Sequence, residues 1–166
     1  MEPRKLFAGV AAACLLATMS GCSLFGGGND AGRGSDSQIT SGGNVDAFSI
    51  YVGDCLISAD LDNEFSEVPA VPCTEAHDSE VIYIFDMPDG DFDSDAIESA
   101  GDDQCPQAIV NYVGPNYDTV SSEGLDWYYF SPTEESWAQG DREVDCIAYA
   151  RSDTNELTSS VKGLGN

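Results

Sequence analysis

Residues 71–80 contain the side chains most able to do chemistry, because the chain's only histidine, His77, is followed there by Asp78 and Glu80. An imidazole next to a carboxylate can transfer a proton or hold a metal ion while the carboxylate orients the ring. Paired carboxylates, here Glu80 with Asp78 or Glu75, are the groups that most glycoside hydrolases use. This stretch is therefore the first place to look for a catalytic or metal site.

The same side chains also have a structural interpretation. His77 or Asp78 would bond to backbone N–H groups at the entry to a strand. Glu80 would pair with Arg142 on a neighbouring strand. The sequence contains no second histidine for zinc, no Gly-x-Ser-x-Gly elbow and no phosphate-binding glycine loop after a strand. We therefore favour the structural interpretation, predict neither an enzyme nor a cofactor, and keep these four residues as the candidates for function.

The strands that would position these residues can be predicted from local patterns. Residues 79–86 form a nearly continuous apolar run bounded by acids, which predicts a central strand buried on both faces. Aromatic and β-branched content predicts further strands over residues 125–131 and 144–150. Residues 49–58 are predicted to be a strand broken by a turn. Residues 67–73 contain two prolines, which allows an edge strand at best.

A helix is predicted between residues 96 and 113, where apolar and small side chains recur at intervals of three and four. Pro106 within this segment implies either one kinked helix or two short helices. A helical turn is predicted at residues 132–140 and a short edge strand at residues 156–164. Together these elements predict an α+β fold, a single small domain with an antiparallel sheet packed by one kinked or two short helices.

The first 21 residues have the pattern of a lipoprotein signal peptide: two basic residues and then thirteen mostly apolar ones, too few to span a bilayer. Met19-Ser20-Gly21-Cys22 resembles a lipobox, which predicts lipidation of Cys22 and anchoring on the extracytoplasmic face of the cell membrane. Ordinary cleavage and a retained anchor are the alternatives. Residues 22–47, rich in Gly and Ser, are predicted to be a flexible tether to a domain over residues 48–166.

Four cysteines remain after the signal peptide and Cys22, an even number in a chain bound for an oxidising compartment, which predicts two disulfides. Three connectivities are open. The predicted elements favour Cys55 with Cys73, across a hairpin, and Cys105 with Cys146, between helix and strand. A zinc site is the rival use of four cysteines, but the sequence has no C-x-x-C pair.

The chain is strongly acidic, with 30 acidic residues against 6 basic ones and a net charge of −24. Nucleic acid is therefore excluded as a partner, since phosphate binding needs clustered Lys and Arg. Residues 87–95 form the densest acidic loop, but their spacing does not match an EF-hand. We expect Asp93 or Ser94 to cap the following helix. The weak calcium candidates in this loop are Asp89, Asp91, Asp93 and Asp95.

Several short motifs follow one another along residues 51–163. They are Val52-Gly53-Asp54-Cys55-Leu56, Val71-Pro72-Cys73, His77-Asp78, Glu80-Val81, Cys105, Tyr112-Val113-Gly114, Trp137, Gly140-Asp141-Arg142 and Cys146. In this order they resemble the septum-formation family of actinobacterial envelope proteins. The resemblance implies an association with division septa, names no reaction and supplies no catalytic residues.

These observations predict a non-catalytic lipoprotein anchored in the membrane through lipid. Its domain would bind an envelope or division protein or a cell-wall component. Two alternatives remain open: a wall-active hydrolase that uses carboxylates near Glu80, and an envelope protein that binds calcium weakly through the acidic loop.

Overall fold

A computed structural model describes residues 29–58, 65–151 and 156–166. The strands are β1 (Gly32–Arg33), β2 (Ile39–Ser41), β3 (Gly43–Asp46), β4 (Cys55–Leu56), β5 (Glu67–Val71), β6 (Ser79–Asp86), β7 (Leu125–Phe130) and β8 (Glu143–Ala150). The helices are α1 (Ser94–Val113), α2 (Tyr117–Ser122) and α3 (Glu134–Ala138), with a 3-10 helix at Ala47–Ser49. These elements confirm the predicted α+β class.

Six strands form one antiparallel sheet in the order β3-β5-β4-β6-β8-β7, and β1 and β2 pair separately. Strand β6 lies inside the sheet between β4 and β8, as its apolar run predicts. Its first four residues are buried, whereas Tyr83 beyond them is exposed, so burial on both faces is limited to the first half of the strand. None of the described helices is long and apolar enough to cross a membrane.

Helix α1 covers one face of the sheet, and the described chain before β4, which we call the N-terminal segment, covers the other. On the α1 side, Ile109 and Val113 pack with Ile82 and the Cys105–Cys146 disulfide. On the opposite side, a second core contains Ile39, Val45, Ile50, Leu56, Val68, Ala70, Val81 and Ile147. The sheet is therefore the middle layer, and a polar side chain in the first half of β6 or the middle of β8 enters a core on either face.

Both disulfides have the favoured pairing. Cys55 is bonded to Cys73, which joins β4 to the residues after β5, and Cys105 is bonded to Cys146, which joins α1 to β8. The loops they close have sequence separations of 18 and 41 residues. Each bridge stabilises the fold by roughly 3 to 4 kcal/mol if it acts by restricting the unfolded chain.

Strand β5 lies between β3 and β4, so the prediction of an edge strand is wrong. Pro69 is tolerated inside the sheet because its missing N–H is not required there. Its carbonyl oxygen accepts a hydrogen bond from Ile57 N, and Asn44, its partner on β3, donates its own N–H to Asn29 O. A proline at such a position keeps the strand apolar without leaving a ladder donor unpaired.

The predicted tether is also corrected, because its described part, residues 29–47, is folded. Strand β3 forms the edge of the main sheet, and Val45 and Ile39 are buried in the core. The glycines that suggested flexibility have a packing role: a Cβ on Gly43 would lie 2.4 Å from the backbone of Asn29 and Ala31. The predicted signal peptide and Cys22 lie outside the described residues.

Of the two alternatives for the helix, the single one forms, because α1 is continuous from Ser94 to Val113 with Pro106 inside it, and Asp93 is its N-cap as predicted. Two predicted strands change. Of the strand predicted over residues 49–58, only Cys55–Leu56 forms. The described residues near the C-terminus form no edge strand, and only Leu157 makes a single bridge, to His77.

Candidate functional site

Glu80 is completely buried on β6, and its carboxylate accepts three hydrogen bonds. Oε1 accepts hydrogen bonds from the hydroxyls of Tyr112 and Ser160, each at a distance of 2.7 Å. Oε2 accepts one from Val161 N at 2.6 Å. Burial and then the hydrogen bond to this carboxylate raise the pKa of Tyr112 far above its usual value. Glu80 therefore fastens the C-terminal segment to the sheet, and the predicted pair with Arg142 is wrong.

His77 is buried at the same end of β6, with 3% of its surface exposed. Its backbone pairs with Leu157 and its Nδ1 lies 2.7 Å from Glu75 O, while Nε2 has no hydrogen-bond partner among the described residues. One ring nitrogen, a Glu80 oxygen and Cys55 Sγ lie within 4.8 Å of one another. This cluster does not suit a metal ion, because the Cys55 sulfur is held in a disulfide and Glu80 already accepts three donors.

Asp78 belongs to a separate polar network. It accepts hydrogen bonds from Ser58 N at 2.9 Å, from the Ser58 hydroxyl and from the Ser79 hydroxyl. The Tyr128 hydroxyl donates a hydrogen bond to Ser58 Oγ, so the network connects the residues after β4 with the start of β6 and with β7. Asp78 and Glu80 therefore bond to different donors, and the geometry offers no support for a carboxylate pair between them.

Arg142 lies directly before β8, away from the residues at the start of β6. Its guanidinium stacks on the Trp137 ring at 3.8 Å and donates to the Trp137 carbonyl oxygen. Its Nε lies 3.4 Å from Asp89 in the acidic loop, where Asp93 accepts a hydrogen bond from Ala96 N as the cap of α1. The four predicted functional residues therefore divide between two places, and Asp89 and Asp93 each have a structural contact.

A cleft of about 480 Å³ lies at the end of the core opposite α1. We call it the acidic cleft. Its apolar lining residues include Phe48, Ile50, Phe65 and Phe130. Its acidic lining residues are Glu135, Asp141, Glu143 and Asp145.

Asp145 is the unusual member of the acidic cleft. Its relative exposure is 5%, and its Oδ1 has no hydrogen-bond partner within the described ranges. Glu143, two residues earlier on the same face of β8, shares a hydrogen bond with its carboxyl group. Burial, and then the charge of Glu143, raise the pKa of Asp145 to about 8. At neutral pH the Asp145 carboxyl group is therefore mostly protonated, and its hydrogen bond with Glu143 favours that protonated form.

The chain matches the family model described as Septum formation over residues 28–146, well over half of its length. It belongs to the septum-formation family. No curated protein and no solved structure gives a match. The family match begins before β1 and ends at Cys146, so it includes the folded N-terminal segment and the acidic cleft of this septum-formation protein. The segment held by Glu80 follows it.

Sequence reasoning missed two features of this family member. Arg33, in the predicted tether, forms a bidentate salt bridge with the fully buried Asp54, with both N–O distances 2.7 Å. Asp145 was placed inside a predicted strand without a role. An acid between Val144 and Cys146, in a run of otherwise apolar residues, was the available signal for a buried carboxylate.

Proposed function

We propose that this protein is a lipid-anchored lipoprotein on the extracytoplasmic face of the cell membrane, and that it serves septum formation as a binding module. The observation that carries the proposal is the match to the Septum formation family. Two disulfides support an oxidising compartment outside the cytoplasm. The lipobox-like residues before Cys22 support the anchor.

The polar contacts support binding rather than catalysis. Glu80, the strongest candidate for a catalytic carboxylate, is enclosed by the donors that attach the C-terminal segment. A catalytic acid must reach its substrate, and this one contacts the chain itself. The acidic cleft, in contrast, opens to solvent and has the size range of a ligand site.

Septal recruitment can be tested by imaging the full chain with a fluorescent protein that folds outside the cytoplasm, fused after Asn166. We expect the signal to concentrate at division sites. Uniform membrane labelling throughout division would remove the septal part of the proposal.

The anchor is tested with a Cys22→Ala variant of the same fusion. Growth with a clickable fatty acid should label the parent and not the variant, since the variant lacks the acceptor thiol. Cys14→Ala, within the predicted signal peptide, is the matched control and should leave labelling unchanged. Equal labelling of parent and Cys22→Ala would refute lipidation at this residue.

A further inference from the structure

The acidic cleft combines two kinds of surface that suit one kind of ligand. Phe65 and Phe130 contact each other edge to face, with ring centroids 4.6 Å apart, and Phe48 stands at the opening with 63% of its surface exposed. Phe130 and Asp145 are register partners on β7 and β8, so this ring lies beside the Asp145 carboxyl group on one face of the sheet, and Glu143 follows two residues away on the same face. Aromatic rings attract cations and apolar stems, and carboxylates accept hydrogen bonds from charged nitrogen.

Asp145 supplies a second, independent indication of a ligand. A buried acceptor without a donor destabilises a protein by about 1 to 3 kcal/mol, so such atoms are rare in folded chains. No lysine, arginine or histidine is among the described residues that line the cleft. The nearby Arg142 is held in the neighbouring depression, where it stacks on Trp137. The neutral donors that line the cleft make no hydrogen bond to Asp145 Oδ1 either, so this oxygen is open to a donor that a ligand brings.

The spacing of the carboxylates favours an organic cation over a metal ion. Calcium needs six to eight oxygen ligands at 2.3–2.6 Å. Among the described residues, no three carboxylates of the cleft bring ligand oxygens within 4.8 Å of one another. Asp141 also accepts hydrogen bonds from the Ser136 hydroxyl and Glu143 N. Dispersed carboxylates beside aromatic rings fit a cationic nitrogen on an apolar stem.

We propose that the acidic cleft binds a primary ammonium or guanidinium group on an apolar stem, with Asp145 and Glu143 receiving the charged nitrogen. This assignment rests on the proposed binding role and names its ligand chemistry. The cation replaces the proton of the Asp145 carboxyl group, and that proton leaves to solvent. Besides this pair, Glu135 on α3 and Asp141 before β8 line the site, and the charge of Asp86 on β6 acts on Glu143.

The test is a titration of the full chain, in nonionic detergent micelles at pH 8.5, with n-pentylamine hydrochloride followed by NMR. An alkylammonium remains charged at this pH because its pKa is close to that of lysine, about 10.4. We expect saturable shifts at Phe65, Phe130 and Asp145. Nα-acetyl-lysinamide, as a second probe, separates a side chain of a peptide from a free amine.

Matched variants locate the site. Asp145→Asn should weaken pentylammonium binding about tenfold or more, the equivalent of about 1.4 kcal/mol. Glu98→Gln removes one exposed charge on α1, outside the cleft, and should change binding less than about twofold. If Asp145→Asn does not fold, Glu143→Gln carries the same prediction.

Three outcomes would overturn the assignment: equal binding by Asp145→Asn and the parent, equal binding of uncharged 1-pentanol, or saturation by calcium chloride with no response to pentylammonium. A negative titration would leave the septal imaging result standing, because imaging follows the location of the chain and not the contents of the cleft.

Discussion

Glu80 and Asp145 are two buried acids on neighbouring strands of one sheet, and their surroundings differ completely. Glu80 accepts three hydrogen bonds from the chain itself. Asp145 has an oxygen without any donor among the described residues and shares a hydrogen bond with Glu143. Burial alone therefore does not distinguish a structural acid from a binding one. The two are distinguished by whether the chain itself supplies hydrogen-bond donors to the carboxyl oxygens.

The largest expected effect is at Glu80. Glu80→Ala leaves the buried Val161 N and the hydroxyl of the half-buried Tyr112 without their acceptor, and we expect a loss of about 4 kcal/mol of unfolding free energy. Urea unfolding of the full chain, followed by tryptophan fluorescence, measures it. Exposed Glu75→Ala is the control and should change stability by less than about 0.5 kcal/mol.

The same substitution separates the binding role from a wall hydrolase. Hydrogen exchange at Val161 and Leu157 should accelerate in Glu80→Ala, because the C-terminal segment loses its attachment. If Glu80→Ala had normal stability but no longer released fragments from peptidoglycan, Glu80 would be a catalytic acid and not a structural one.

The second effect is the pH dependence of stability. The pKa of Asp145 is raised to about 8 in the folded state, above its usual 3.8, so the folded chain holds a proton that the unfolded chain releases. The contribution of Asp145 to stability is then greatest below about pH 4, decreases as pH rises toward 8, and levels off above it. Unfolding experiments from pH 4 to 9 measure this slope.

The third effect is the loss of this pH dependence in the variant Asp145→Asn. The amide resembles the protonated acid and does not ionise, so the variant should be about 2 kcal/mol more stable than the parent at pH 9. Glu98→Gln should retain the slope of the parent. A variant less stable than the parent at pH 9 would mean that the Asp145 carboxylate has an internal partner.

The smallest effect is at His77. Its Nδ1 contacts Glu75 O, but its Nε2 has no partner in the described part of the chain, so His77→Leu exchanges one hydrogen bond for apolar contact. We expect a change of about 1 kcal/mol or less. Addition of EDTA should leave the stability of the parent unchanged. A loss of stability with EDTA would restore the metal interpretation of His77.

The parts of the fold that depend on local patterns could be predicted from the sequence. The apolar run of β6 and the spacing within α1 are local patterns. The favoured cysteine pairing followed from the predicted hairpin and from the predicted helix with its neighbouring strand. The interior position of β5 could not be predicted, because Pro69 is tolerated only where Asn44 bonds to Asn29 instead.

The two buried acids show why the site was harder to predict. The donors to Glu80 are 32, 80 and 81 residues away in sequence, so no local pattern connects them. The isolation of Asp145 depends on which side chains α3, the 3-10 helix and β7 place around it. Both depend on tertiary packing, which a single sequence does not display.

Cation binding by Asp145 can be followed in the ¹³C chemical shift of its carboxyl carbon, measured from pH 3 to 10 in the full chain with and without n-pentylammonium. We predict a pKa near 8 for the free protein, as the buried pair requires, and a decrease of about one unit or more with the cation bound. An Asp145 carboxyl group that titrates near 4, or a pKa of Asp145 that the cation does not change, would show that Asp145 does not receive the cation.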